Sequence, residues 1–229
     1  MEDDKEDQLR IEVVNGAKAI FAKGLVEAGE GNVSIRIPKK DELFITPSFN
    51  QYTSLVKDEI VRMKFDGTPL SSGKLPSTEY RLHVAIYEAR PKANCVIHTH
   101  SPFATMLSVV QKKIPVIMEE QIVFIGGSVD IAEFGKAHTE EIGEKALEVM
   151  GMKNGVLLAN HGVLVCARSM GHVIKLAELI EKLARIYWGA LQIGEPILIS
   201  EEDCQRFKKH FDSLFATYVK KRRRKTINN

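Results

Sequence analysis

Cysteine is scarce in this chain of 229 residues, with only Cys95, Cys166 and Cys204. The odd number, the lack of any Cys-x-x-Cys spacing and a length that needs no stapling argue against a disulfide framework and point to a reducing compartment. Long apolar stretches are also missing: nowhere do about 18 uncharged apolar residues run together, so no transmembrane helix is expected. The acidic N-terminus lacks the basic-then-apolar order of a secretory signal. A cytoplasmic protein is the resulting expectation. Charge of one sign is lacking too. The formal net charge is +2, and Met1–Asp7 (five acids, one lysine) opposes the six bases of Lys220–Lys225. The body between is neutral and offers no electrostatic footprint for nucleic acid or an anionic membrane, so neither is expected as a partner. The six-base run reads as a solvated tail.

What is present is ordinary globular composition, 44% hydrophobic and 27% charged. The length favours one large domain. Apolar residues at Leu9, Val13, Ala17, Ile20, Phe21 and Leu25 predict a helix from Asp7 to Gly29. Alternation predicts a hairpin of Val33–Ile37 with Glu42–Thr46, and short-strand character continues through Asp58–Met63. Pro76-Ser77-Thr78 reads as a helix start with Glu79 in its first turn, and Pro91 as the stop. Asn94–His100 is a β-branched strand, Pro102–Val110 a helix, Ile114–Met118 a strand, Gly126-Gly127 a turn and Thr139–Met150 a helix. Gly155–Ala167 reads as two apolar strand pieces broken at Gly162, followed by a helix over Met170–Ile193. With no repeat or low-complexity linker, one α/β or α+β domain is expected.

Chemistry concentrates in a few positions. His98 and His100, at i and i+2 near a strand end, face the same way, with Thr99 opposite. Seven histidines give roughly 0.2 His-x-His pairs by chance, so this pair needs a third partner before it reads as a metal site. His161 is the candidate, because it interrupts an apolar run just before Gly162 and a buried imidazole there requires a partner. Three imidazoles with an open fourth position form a recurrent catalytic zinc arrangement. Hydrogen-bonded core histidines are the alternative. Glu79 in a first helical turn complements the macrodipole whether or not it reacts. Ser77 and Thr78 stand where free helix N–H groups bind phosphate, and Gly29-Glu30-Gly31-Asn32 forms a second glycine-bearing loop.

Taken together, Gly31-Asn32-Val33-Ser34, Ile45-Thr46-Pro47-Ser48, Gly73–Glu79, His98-Thr99-His100 and Asn160-His161-Gly162 resemble, in order and spacing, the class II aldolase/adducin family. The resemblance covers about residues 8 to 200, taken as a single domain, with residues 201–229 as a C-terminal helix and basic tail. It implies a three-layer α/β/α fold on a largely antiparallel sheet, and a homotetramer with active sites between subunits. The implied ligands of one zinc ion per chain are His98, His100 and His161, and the implied acid/base is Glu79. Gly31, Asn32, Ser48, Ser77 and Thr78 fall where the family holds the substrate phosphate. The implied reaction is cleavage of a ketose 1-phosphate, of the fuculose or ribulose 1-phosphate type, to dihydroxyacetone phosphate and an aldehyde. Epimerase, dehydratase and decarboxylase chemistry on the same fold, and an adducin-like binding role, are the rivals. Two positions depart from the family pattern. Ser48-Phe49 replaces a Thr-Gly, which alters the expected backbone approach to phosphate. Glu119 replaces a tyrosine that serves a neighbouring subunit's site, which makes Glu119, or Glu120, the candidate second acid/base; an exposed strand-end acid is the alternative.

Overall fold

The computed structural model describes residues 2–27, 29–49, 51–71, 73–136 and 138–218. The basic run Lys220–Lys225 lies outside the described residues. Helix α1 spans Glu2–Ala22 and buries Val13, Ala17 and Ile20 completely. It begins before Asp7, where acidic residues favour a helix N-terminus. It also stops well short of Gly29: Gly24 adopts φ +67°, and Leu25 N–H donates back to Ile20 O at 3.0 Å. Leu25 stays buried beyond the helix end, so it continues the apolar period without continuing the helix.

Strands β1 (Asn32–Arg36), β2 (Glu42–Ile45), β3 (Val61–Lys64), β4 (Cys95–Thr99), β5 (Ile131–Ala132), β6 (Gly155–Leu158) and β7 (Gly162–Ala167) build one seven-stranded sheet in the order β3-β2-β1-β4-β7-β6-β5. Every neighbouring pair is antiparallel except β5–β6. The remaining helices are α2 (Tyr80–Ala89), α3 (Pro102–Val109), α4 (Glu140–Met150), α5 (Met170–Ile193) and α6 (Glu201–His210). Alternation sorts the strand residues into two cores. Val33, Ile35, Ile97, Val163 and Val165 pack with residues of α1, α3 and α5 on one face. Leu43, Ile45, Val96, Leu164 and Cys166 pack with residues of α2 and α4 on the other. The architecture is the expected α/β/α sandwich on a largely antiparallel sheet. Among the described residues, no helix is long and apolar enough to cross a membrane.

Two further expectations are corrected. Ile114–Met118 is not a strand; it makes one isolated bridge, Ile114 with Val129. Pro115 has no N–H to give a ladder, and the Gln121 amide substitutes by donating to Ile114 O at 3.3 Å and Pro115 O at 2.9 Å. Helix α2 starts at Tyr80, not at Pro76, because Pro76 bridges Pro47 and Ser77 N–H donates to Thr46 O at 3.0 Å. Glu79 is therefore the residue before the helix.

Candidate active site

The site forms at one end of the central strand β4. Asn32 at the start of β1 pairs with His98 across the sheet, and Thr99 pairs with Val163 just after the β6–β7 turn. Three chain segments distant in sequence thus converge within a few ångströms. His161 sits in that turn and not within a strand: Asn160 adopts φ +54° and His161 N–H donates to Leu158 O at 3.1 Å. The packing leaves no room for a side chain at two glycines. A Cβ on Gly31, at φ +62°, would lie 2.6 Å from His98 O, and one on Gly162 would lie 2.2 Å from Thr99 O.

His98 and His100 present their Nε2 atoms 2.9 Å apart. Glu79 Oε1 lies 3.0 Å from His161 Nε2, and Oε2 lies 3.6 Å from His98 Nε2. One ligand atom from each of Glu79, His98, His100 and His161 falls within 4.8 Å of all the others, a group that can hold a metal ion. The surrounding bonds fit that use. Fully buried His98 directs Nδ1 to Val163 O at 2.9 Å, which leaves Nε2 as the lone pair and orients the ring, as metal-binding imidazoles require. Burial lowers the His98 pKa to about 4 and also lowers that of His100, so protons do not compete for these lone pairs near neutrality. Burial would raise the Glu79 carboxyl, but His98, His161 and the Asn32 amide together hold it well below the usual carboxylate range. Near neutrality the ionised Glu79 carboxylate thus faces the neutral His98 and His100 imidazoles, a donor set that with His161 suits zinc or a similar divalent ion.

The phosphate candidates also come together. Ser48 N–H donates to Leu75 O at 3.0 Å, Ser48 Oγ donates to Pro76 O at 2.7 Å, and Glu79 N–H donates to Ser77 Oγ at 3.3 Å. The Ser48 and Ser77 loops therefore run side by side, with Thr78 exposed. Gly31 is held by the buried Tyr52 hydroxyl, 2.7 Å from its carbonyl. Asn32 is different: its side chain is committed to Glu79 at 2.7 Å and His83 at 2.5 Å. Phe49, at φ +56°, keeps a glycine-compatible backbone while its ring is 94% exposed, so this departure adds a side chain without excluding a glycine-like loop.

Glu119 is not in the four-donor cluster. It is exposed at the head of a short helical segment leading into a π turn (Gln121–Ile125), and Glu120 pairs with Lys182 at 2.6 Å. Two residues given no role of their own by the sequence border the site. Glu30 Oε2 lies 3.8 Å from His100 Nδ1, and His83 is fully buried behind Asn32. His83 carried a visible signal, a polar residue inside the apolar stretch Leu82–Ile86.

Residues 11–188 match the sequence profile described as Class II Aldolase and Adducin N-terminal domain. The chain belongs to this family. Among curated relatives, it is 34% identical over 203 residues to the 5-methylthioribulose-1-phosphate/5-deoxyribulose-1-phosphate aldolase of Rhodospirillum rubrum, covering 89% of this chain and 90% of the relative. It is 31% identical to the 5-deoxy-D-ribulose 1-phosphate aldolase of Bacillus thuringiensis serovar kurstaki, covering 89% and 95%. To the L-fuculose phosphate aldolase of Escherichia coli K12 it is 30% identical, covering 87% and 92%. A solved L-fuculose 1-phosphate aldolase superposes with a TM-score of 0.85 at 28% identity, over 90% of this chain and 96% of that one. The class II aldolase fold therefore frames the site just described.

Proposed function

We propose that this family member is a zinc-dependent aldolase that cleaves a ketose 1-phosphate to dihydroxyacetone phosphate and an aldehyde. The observation that carries the reading is the placement of the ionised Glu79 carboxylate 3.0 Å from His161, against the converging Nε2 atoms of His98 and His100. A proton acceptor beside a metal-capable cluster is what carbanion chemistry next to a carbonyl needs. The aldolase names of its relatives support the same choice.

In this reading His98, His100 and His161 hold one zinc per chain, which when bound supplies Lewis-acid polarisation of the substrate oxygens. Ser48, Ser77 and Thr78, with the backbone at Gly31 and Asn32, hold the phosphate and so fix the distance from the phosphate to C3. In condensation, Glu79 removes one proton from C3 of dihydroxyacetone phosphate, and the electron pair released forms the C3–C4 bond to the aldehyde carbon. In cleavage that pair returns to C3, and Glu79 returns the proton. The aldehyde oxygen gains a proton in condensation and loses it in cleavage. Glu119, outside the single-chain cluster, serves that oxygen only from a neighbouring subunit, in keeping with the homotetramer that the family resemblance implies. Light scattering tests the assembly directly.

The activity is tested by incubating zinc-loaded protein with 5-deoxyribulose, 5-methylthioribulose and fuculose 1-phosphates and coupling dihydroxyacetone phosphate to its NADH-dependent reduction. Metal-dependent NADH oxidation with at least one substrate is expected. Formation of an epimeric, dehydrated or decarboxylated product without dihydroxyacetone phosphate would replace the aldolase reading with one of its rivals.

A further inference from the structure

Behind Glu79 runs a row of buried polar side chains that neither the metal donors nor the phosphate hydroxyls account for. Tyr87 and Ser34 hydroxyls lie 2.6 Å apart, and Ser34 Oγ lies 2.6 Å from His83 Nδ1. His83 Nε2 lies 2.5 Å from Asn32 Oδ1, and Asn32 Nδ2 donates to Glu79 Oε2 at 2.7 Å. Ser34 and His83 are fully buried, and Asn32 and Tyr87 are 1% exposed. Two periodicities assemble the row: Asn32 and Ser34 share one face of β1 at i and i+2, and His83 and Tyr87 share one face of α2 at i and i+4.

The direction of each hydrogen follows from the end of the row. An ionised carboxylate has none to give, so Asn32 must turn its NH₂ toward Glu79 and its carbonyl oxygen toward His83. That oxygen can only accept, so His83 carries its hydrogen on Nε2. Burial keeps the ring neutral, lowering its pKa to about 3 with help from His98, so Nδ1 is an acceptor. Ser34 therefore donates to Nδ1, and with its one hydrogen used there its oxygen accepts from Tyr87 at 2.6 Å, a much shorter contact than the 3.4 Å from the Tyr87 hydroxyl to Asn94 O. Every donor points toward Glu79, and a chain of aligned hydrogen bonds strengthens its last member.

We propose that His83 is a positioning residue for Glu79: held as the Nε2–H tautomer by Ser34, it locks the Asn32 amide with its NH₂ on Oε2 and so leaves Oε1 facing the histidine cluster. This rests on the reading of Glu79 as the acid/base. A flipped Asn32 amide would set its carbonyl oxygen against the carboxylate and release the orientation.

Two measurements test it. In long-range ¹H–¹⁵N spectra of histidine-labelled zinc protein, with His83 assigned by its loss in His83→Gln, His83 should show a protonated Nε2 and bare Nδ1 from about pH 5 to 8, the range in which an ordinary histidine titrates. The opposite tautomer, or an imidazolium, would overturn the proposal whatever the substrate. The second readout is exchange of the C3 proton of dihydroxyacetone phosphate with deuterated water. Ser34→Ala should slow it about tenfold, the effect of one weakened charge-assisted bond, with zinc content unchanged. In a His83→Gln background the same Ser34→Ala change should have almost no effect, because a glutamine amide donates to Asn32 without needing its tautomer selected. Equal losses in both backgrounds would mean that the row only fills the core. Glu79→Gln separates the two claims. Loss of exchange there combined with equal Ser34→Ala losses removes the positioning role of His83 alone, whereas wild-type exchange in Glu79→Gln removes the acid/base reading itself.

Discussion

Replacing Gly162 with alanine tests whether the metal-capable cluster depends on the backbone approach seen at the end of β4. A Cβ there would stand 2.2 Å from Thr99 O and 3.2 Å from both Thr99 C and His100 Cδ2. Carbon–oxygen contacts of this type settle at about 3.3 Å or more, so β4 and β7 must part by roughly 1 Å. No flexible side-chain end can absorb the shift, because the nearest atom is backbone. β4 carries His98 and leads into His100, whereas the turn before Gly162 carries His161, so the parting moves two imidazoles against the third. Metal–ligand distances tolerate only about 0.2 Å, so a displacement several times larger should weaken zinc binding by at least tenfold to a hundredfold, the range for disturbed supporting contacts. Overpacking should also cost about 1–3 kcal/mol of stability. Zinc content after dialysis, chelator competition and urea unfolding of the metal-free protein measure the two effects separately. Gly189→Ala is the control, since nothing lies within 4 Å of its Cβ inside α5; it should keep zinc and gain about 0.4–1 kcal/mol. Native zinc affinity in Gly162→Ala would refute the reasoning.

Three further outcomes follow from the same geometry. Glu79 precedes α2 and its side chain makes no capping bond, so Glu79→Gln should leave the helix and zinc content intact while lowering kcat by about 10²- to 10⁴-fold; unchanged turnover in steady-state assays would remove it from the chemistry. Ser77→Ala combined with Thr78→Ala should raise KM for a ketose 1-phosphate much more than for the unphosphorylated ketose, and equal changes would place the phosphate elsewhere. Finally, burial, with help from His98, pushes the His83 pKa down to about 3 from the ordinary 6.5. Between these values the unfolded chain holds a proton that the native one does not, so stability present above pH 6.5 falls on acidification by about 1.4 kcal/mol per unit. His98, lowered to about 4, acts in the same direction without metal; a flat urea-unfolding profile from pH 7 to 5 in chelator would contradict this.

The fold was legible where short-range periodicity and burial agree, and illegible where a distant group decided the outcome. The helices over Pro102–Val109, Glu140–Met150 and Met170–Ile193 bury one apolar stripe each, and their sequences show it. Ile114–Met118 has equally apolar residues, yet the Gln121 side chain further along takes three of its backbone groups, the carbonyls of Ile114 and Pro115 and the Ile117 N–H, which donates to Gln121 Oε1 at 3.2 Å. No apolar pattern encodes that. β5 is only Ile131–Ala132, too short for a period to register, and exists through its pairing with β6. The start of α2 was displaced by Thr46 and Pro47, about thirty residues away, which draw Pro76 and Ser77 into strand-like pairing.

At the site, the i, i+2 placement of His98 and His100 was readable because strand alternation acts over two residues, and their Nε2 atoms do meet. Glu79 was a helix-dipole residue by local rules, and only the family resemblance gave it another role. Its place before the helix, with the carboxylate turned to His161, is the product of the same Pro47–Pro76 bridge that shifted α2. His161 and His83 make the most direct comparison, since each is a histidine set in an apolar stretch. A buried imidazole without a partner is costly, so that rule alone required partners for both. His161 found Glu79 at 3.0 Å, and His83 found Asn32 and Ser34 at 2.5 and 2.6 Å. Only His161 belonged to a motif, but the physical demand was the same for each, and both demands lead through Asn32 or directly to one carboxylate.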